Sequence, residues 1–142
     1  MTHDADGAFQ ARMSCLPQAI GFVAAFCARC GVSRDDELRL TLMVEELFTN
    51  SVRHGHGGDS DALVRVGLAA DASRVELSYE DATPPFDPLR GIEQATADLQ
   101  GDVALRPLGG MGIPLVLQMA ASVRYERQAG LNRLWLVLRR AP

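Results

Sequence analysis

Leu42-Met43-Val44-Glu45-Glu46-Leu47-Phe48-Thr49-Asn50-Ser51-Val52-Arg53-His54-Gly55 reads as an apolar helix interrupted by two polar residues, Glu46 and Asn50, one turn apart. Residues four apart stack on one helix face. At about 100° per residue, Leu40, Val44, Leu47, Phe48 and Ser51 form one side, and Glu46, Asn50 and Arg53 form a strip at its edge. A carboxylate and a carboxamide beside apolar neighbours are costly to bury without a partner. A hydrated divalent metal carrying a nucleotide phosphate would be such a partner. A solvated helix face is the bland alternative, and the pair alone does not decide between them.

Working outward, Ser33-Arg34-Asp35-Asp36 supplies an N-cap and acidic first turn, which predicts a helix over 34–54 closed by Gly55, Gly57 and Gly58. Upstream, Pro17 suits the first turn and Gly31 the end of a helix over 17–30. A short extended piece near 9–13 opens the fold. Downstream, alternation predicts strands over 62–69 (Val64, Val66 and Leu68 on one face) and 74–81 (Val75, Leu77 and Tyr79 on one face). Residues 82–106 are rich in Pro, Asp, Gly and Gln, with one weak helix over 92–99. So long an irregular segment suggests a functional lid. Gly109-Gly110-Met111-Gly112 then leads into an apolar helix over 113–121. Strands over 122–127 and 133–139 close the chain through Ala129-Gly130-Leu131-Asn132. The order predicts an α+β two-layer sandwich, with helices packed on one face of a mostly antiparallel mixed sheet.

The 142 residues suit one domain over 1–142 with one core, burying roughly 68–70% of the unfolded surface. A hydrophobic share of 47% and a charged share of 23% are those of an ordinary globule. The net charge of -4 leaves no basic footprint for direct nucleic-acid binding. The first residues are polar and acidic, and no run is read as reaching the roughly 18 apolar residues of a membrane span, so a cytoplasmic protein is expected. Three cysteines, Cys15, Cys27 and Cys30, argue against a disulfide framework. Cys27-Ala28-Arg29-Cys30 lies in an apolar helical run and reads as packing thiols rather than a redox or zinc motif.

Two further signals bear on chemistry. Gly109-Gly110-Met111-Gly112 before an apolar helix allows close backbone approach and offers unpaired N–H groups to a phosphate. It is not the P-loop, since no Lys-Ser/Thr follows. Asp81 ends a strand and is followed by Ala82-Thr83-Pro84-Pro85-Phe86-Asp87-Pro88. It reads either as a turn-initiating Asp or as an acceptor for an amino group such as that of adenine.

In this order, Glu46-x-x-x-Asn50, Asp81 with Pro85-Phe86-Asp87-Pro88, and Gly109-Gly110-Met111-Gly112 resemble the N box and the two glycine boxes of the histidine-kinase-like ATPases. Within that superfamily the chain looks most like the anti-sigma-factor serine/threonine kinases. Asn50-Ser51-Val52-Arg53-His54-Gly55 is similar to the N-A-x-x-H-G that closes the family's N-box helix. The resemblance spans nearly the whole chain and implies ATP and Mg²⁺ as cofactors. It makes Asn50 the Mg²⁺ ligand, Glu46 the general base and Asp81 the reader of the adenine amino group. Thr83, Met111 and the phosphate-cradling Gly109, Gly110 and Gly112 would line the nucleotide, and His54 and Arg106 would support the phosphate end. Residues from about 82 to 108 would form the ATP lid. The first glycine box is usually D-x-G-x-G, and Thr83 and Pro85 stand at its glycine positions here.

The activity so implied is that of an ATP-dependent protein serine/threonine kinase acting as an anti-sigma regulator. Its substrate would be a STAS-type anti-sigma antagonist, with a sigma factor as the alternate partner and a homodimer as the working form. The alternative is a nucleotide-binding module that sequesters a partner without phosphotransfer. Histidine autophosphorylation is not expected, because no His lies in the helices before Glu46.

Overall fold

In the computed structural model, which describes residues 3–87 and 116–141, two helices cover one face of a five-stranded sheet. The strands are β1 (His3–Gln10), β2 (Leu63–Ala70), β3 (Arg74–Asp81), β4 (Ser122–Gln128) and β5 (Leu131–Arg139), in the order β1-β2-β3-β5-β4. Every pairing among them is antiparallel, and β3 is central. The opening strand is longer and earlier than the piece expected near 9–13, where Met13–Cys15 instead forms a single 3-10 turn.

Helix α1 (Leu16–Cys30) carries Pro17 in its first turn and ends at Gly31, whose φ of +65° only glycine adopts without strain. Its Ala19, Val23, Phe26 and Cys27 repeat at helical spacing and are buried. In length and mean hydropathy (1.3), Met13–Cys30 does reach the values of a membrane span, contrary to the sequence reading. Only 22% of that stretch is buried: Ala19, Val23, Phe26 and Cys27 face the core, and Met13, Leu16 and Phe22 pack partly against it. Helix α2 (Arg34–Asn50) is capped by Ser33, whose Oγ accepts the Asp36 N–H at 3.2 Å. It buries Leu40, Met43, Val44, Leu47 and Phe48. Its regular part stops at Asn50 rather than at His54. Ser51–Gly55 winds on as a π-helical turn, closed by the His56 N–H on the Ser51 carbonyl at 2.9 Å.

The inward residues of the sheet (Val64, Val66, Leu68; Val75, Leu77, Tyr79; Leu134, Leu136, Leu138) alternate as period two demands and meet α1 and α2 in one core. The outward face mixes polar residues with Leu63, Trp135 and Val137, and on it Arg65, Glu80, Arg133 and Glu126 pair in register across four strands. Of the helix expected over 113–121, the described part shows Val116 and Leu117 helical and buried, with turns following at Met119 and Ala120. The lid helix expected over 92–99 lies outside the described residues.

Candidate functional site

The end of α2, the end of β3 and the β4–β5 hairpin converge on Asp81. Period two continues inward from Val75, Leu77 and Tyr79 to Asp81, so its carboxylate points into the helix layer and is only 7% exposed. Four donors meet it there. Ser51 Oγ donates to Oδ2 at 2.6 Å. Oδ1 accepts the Thr83 hydroxyl at 2.9 Å, the Thr83 N–H at 3.4 Å and the Asn132 side-chain amide at 3.0 Å. The Thr83 contacts make the local turn that Asp81 was read as starting.

Behind Ser51 stands the Tyr79 hydroxyl at 2.7 Å. Burial, first of all, pushes the Tyr79 phenol well above its ordinary range, so it keeps its proton. Asn132, paired with Asp81 across β3 and β5, also donates to the carbonyls of Thr83 (3.2 Å) and Pro84 (3.0 Å), and its own oxygen accepts from Tyr125 and from the Phe86 N–H. Arg127 donates to the Thr83 carbonyl at 2.7 Å. Thr83 is thus 3% exposed and held from both sides, with its side chain packed over the Gly55 backbone.

Two cavities flank this cluster. One, of about 30 Å³, is lined by Leu47, Asn50, Tyr79, Asp81, Phe86, Tyr125, Asn132 and Leu134. That is room for a water or so, not for a purine. The other, of about 160 Å³, lies on the far side of Phe86 between Asn50, His54, Gly55, Thr83, Pro84 and Pro85. Asn50 and Phe86 line both, and Phe86 is exposed. Glu46 is half-buried one turn before Asn50 and lines neither of these two cavities.

The structure therefore brings Asn50, His54, Asp81 and Thr83 together and places Glu46 next to them on α2. Arg106, Gly109, Gly110, Met111 and Gly112 lie outside the described residues. Sequence reasoning missed Asn132, taken as a loop residue, and Tyr125. Extending the alternation of Leu134, Leu136 and Leu138 back by one step puts Asn132 on the inward face, and that signal was available. Among the described residues, no three His, Cys, Asp or Glu side chains group to hold a metal. A carboxamide such as Asn50 beside a cavity suits a hard cation that arrives with phosphate oxygens and waters of its own, as Mg²⁺ does, rather than an all-protein cage.

A buried acidic anchor at a strand end facing an asparagine on the adjoining helix is the geometry to compare with known proteins. The family model described as "Histidine kinase-like ATPase domain" matches residues 9–138. The chain belongs to this family. Within the histidine kinase-like ATPases it is similar to the serine-protein kinase RsbW of Listeria monocytogenes serovar 1/2a, at 25% identity over 111 residues, covering 78% of this chain and 71% of that protein. RsbW of Listeria innocua serovar 6a is 24% identical over the same shares. Among solved structures, the RsbU and RsbW domains of Rv1364c from Mycobacterium tuberculosis align at a TM-score of 0.61 and 17% identity. That match covers 99% of this chain and about a third (33%) of the other. The SiaB–SiaC complex from Pseudomonas aeruginosa aligns at 0.54 and 12% identity, over 95% and 89% of the two chains. The α+β fold of this family is the one described above.

Proposed function

We propose that the protein is a cytoplasmic, ATP-dependent protein serine/threonine kinase that acts as an anti-sigma regulator. Its substrate is a hydroxyl of a STAS-type antagonist, and a sigma factor and a second copy of the chain are its other partners. The observation that carries this reading is the convergence of Asn50, from α2, with the buried Asp81 carboxylate, from β3, on one small cavity. The similarity to serine-protein kinases supports the choice of activity.

In this reading Asp81 accepts the amino group of adenine, and Leu47, Phe86 and Leu134 enclose the base. A base enters only when Phe86 and its neighbours move outward, because the present cavity is too small. Asn50 would hold Mg²⁺, which when bound would supply charge neutralisation to the phosphates. His54, beside Asn50 in the larger cavity, would serve the phosphate end, and by resemblance so would Arg106 and the backbone of Gly109, Gly110, Met111 and Gly112. Glu46 takes the proton of the attacking hydroxyl as its oxygen bonds to the γ-phosphorus and ADP leaves.

The test is transfer of labelled phosphate from ATP to a STAS-type antagonist. Glu46→Ala should slow transfer at saturating ATP by roughly 10²–10⁴-fold, the usual worth of a general base. It should leave the thermal shift produced by Mg-ATP in place, about 2.7 kcal/mol of added stability at 100 times Kd. Asn50→Ala should abolish that shift. Transfer at full rate in Glu46→Ala would remove the base assignment. A Mg-ATP shift without any transfer in the unaltered protein would establish the second reading, a sequestering module. Thr83 at a glycine position of the first glycine box favours that alternative.

A further inference from the structure

We propose that Ser51 and Tyr79 are positioning residues that hold the Asp81 carboxylate as a pure hydrogen-bond acceptor, so that the pocket selects a base with an exocyclic amino group over one with a carbonyl at that position. This rests on the nucleotide reading above and deepens it by assigning base selectivity to two residues behind the pocket wall.

The polarity of the chain of hydroxyls follows from counting protons. Ser51 Oγ has one hydrogen and three neighbours: Tyr79 Oη at 2.7 Å, Asp81 Oδ2 at 2.6 Å and the Leu47 carbonyl at 3.1 Å. The shortest of these, to a carboxylate, is the charge-assisted bond and takes the proton. Tyr79 must then donate to Ser51, which it can do because the buried phenol keeps its hydrogen. On the other oxygen, the Thr83 N–H and the Asn132 amide nitrogen can only donate to Asp81, and the Thr83 hydroxyl, which accepts from Asn132, turns its own hydrogen to Asp81. Every described contact to Asp81 thus delivers a hydrogen, and none asks for one. The remaining lone pair of Oδ2 can accept an N–H, whereas a carbonyl oxygen set against it meets like charge.

Ser51 stands where the N-A-x-x-H-G pattern has alanine, a side chain with no hydroxyl to make this relay. Both hydroxyls are buried, Ser51 at 1% and Tyr79 at 5% exposure, and neither needs to touch the base to act.

Calorimetric titration with Mg-ATP and Mg-ITP, whose bases differ at this amino or carbonyl group, tests the idea. The unaltered protein should prefer ATP. Ser51→Ala should lower ATP affinity roughly tenfold, equivalent to about 1.4 kcal/mol, while ITP affinity stays the same or improves. Tyr79→Phe keeps the ring and should act in the same direction more weakly, since Ser51 then becomes free to turn its proton to Leu47. The double variant should be no worse than Ser51→Ala alone, because Tyr79 acts through Ser51. Equal losses for both nucleotides, which leave the ATP-to-ITP ratio unchanged, would overturn the proposal in favour of a packing role, and so would unchanged affinity for both. Failure of the unaltered protein to bind either nucleotide would instead overturn the proposed function.

Discussion

Thr83 and Gly55 occupy one another's space. A Cβ on Gly55 would lie 2.3 Å from Thr83 Cγ2 and 2.8 Å from its Cβ, so the glycine is required by its neighbour. Gly55→Ala should destabilise the fold by roughly 1–3 kcal/mol, the usual cost of overpacking. Thr83→Gly in the same chain should return most of that loss, and urea titration of the two single variants and the double reads the coupling. Cys27 gives a second expectation at this scale. Burial pushes its thiol up to about 12, above the ordinary value in an unfolded chain. Iodoacetamide at pH 8 should therefore spare Cys27 in the folded protein and label it after unfolding. The unfolded chain ionises first as pH rises, so this thiol's contribution to stability is complete below about 8.5 and is lost progressively toward pH 12. Asp81 was legible as a polar residue at a strand end. Its engagement by Ser51 and Asn132 was not, because these donors lie 30 and 51 residues away in the chain and only the fold brings them to it.

At the scale of elements, the helix starts, helix α1 and the β2 and β3 strands were readable because capping chemistry and period are local properties. The Ser33 cap is such a signal, and Ser33→Ala should cost about 1 kcal/mol of stability in a thermal melt. The hairpin was placed correctly but drawn too long. Ala129 and Gly130 alone form its turn, with φ of 54° and 79°, the two positive values of a type I′ connection. Alanine is poorly suited to its half of that turn, so Ala129→Asn should raise the melting temperature by a few degrees, corresponding to roughly 0.5–1 kcal/mol. The π-helical turn after Asn50 was not legible. Ser51, Val52, Arg53, His54 and Gly55 would serve equally in an α-helix, and the wider winding is seen only together with the burial of Ser51 against Tyr79 and Asp81.

Across the whole molecule, the alternation of helices and strands was enough to give two layers, and the inward residues of each strand followed from period two. What it did not give is how the far ends are tied. Arg140 reaches from the end of β5 to the carbonyls of Cys30 and Gly31 at the close of α1, and to that of Asp71 in the β2–β3 turn, at 3.2, 2.9 and 2.7 Å. The Ala141 N–H donates to the buried Asp36 at 2.8 Å. This fastening lies at the opposite end of β3 from Asp81, and it joins both layers. Arg140→Ala should lower stability by roughly 1.5–3 kcal/mol, as expected for bonds to a charged donor at a helix C-terminus. Mg-ATP affinity should stay unchanged, measured by calorimetry under conditions where the variant is folded. Loss of affinity would tie the two ends of the sheet together energetically.

Because Ser51–Gly55 closes through the His56 N–H on the Ser51 carbonyl, its turn is wound wider than the α-helix before it. Numbering along the chain and angular position around the helix axis fall out of step from that point. The direction of His54 therefore does not follow by continuing the four-residue step from Glu46 to Asn50, and a helical wheel drawn through 34–54 misplaces it.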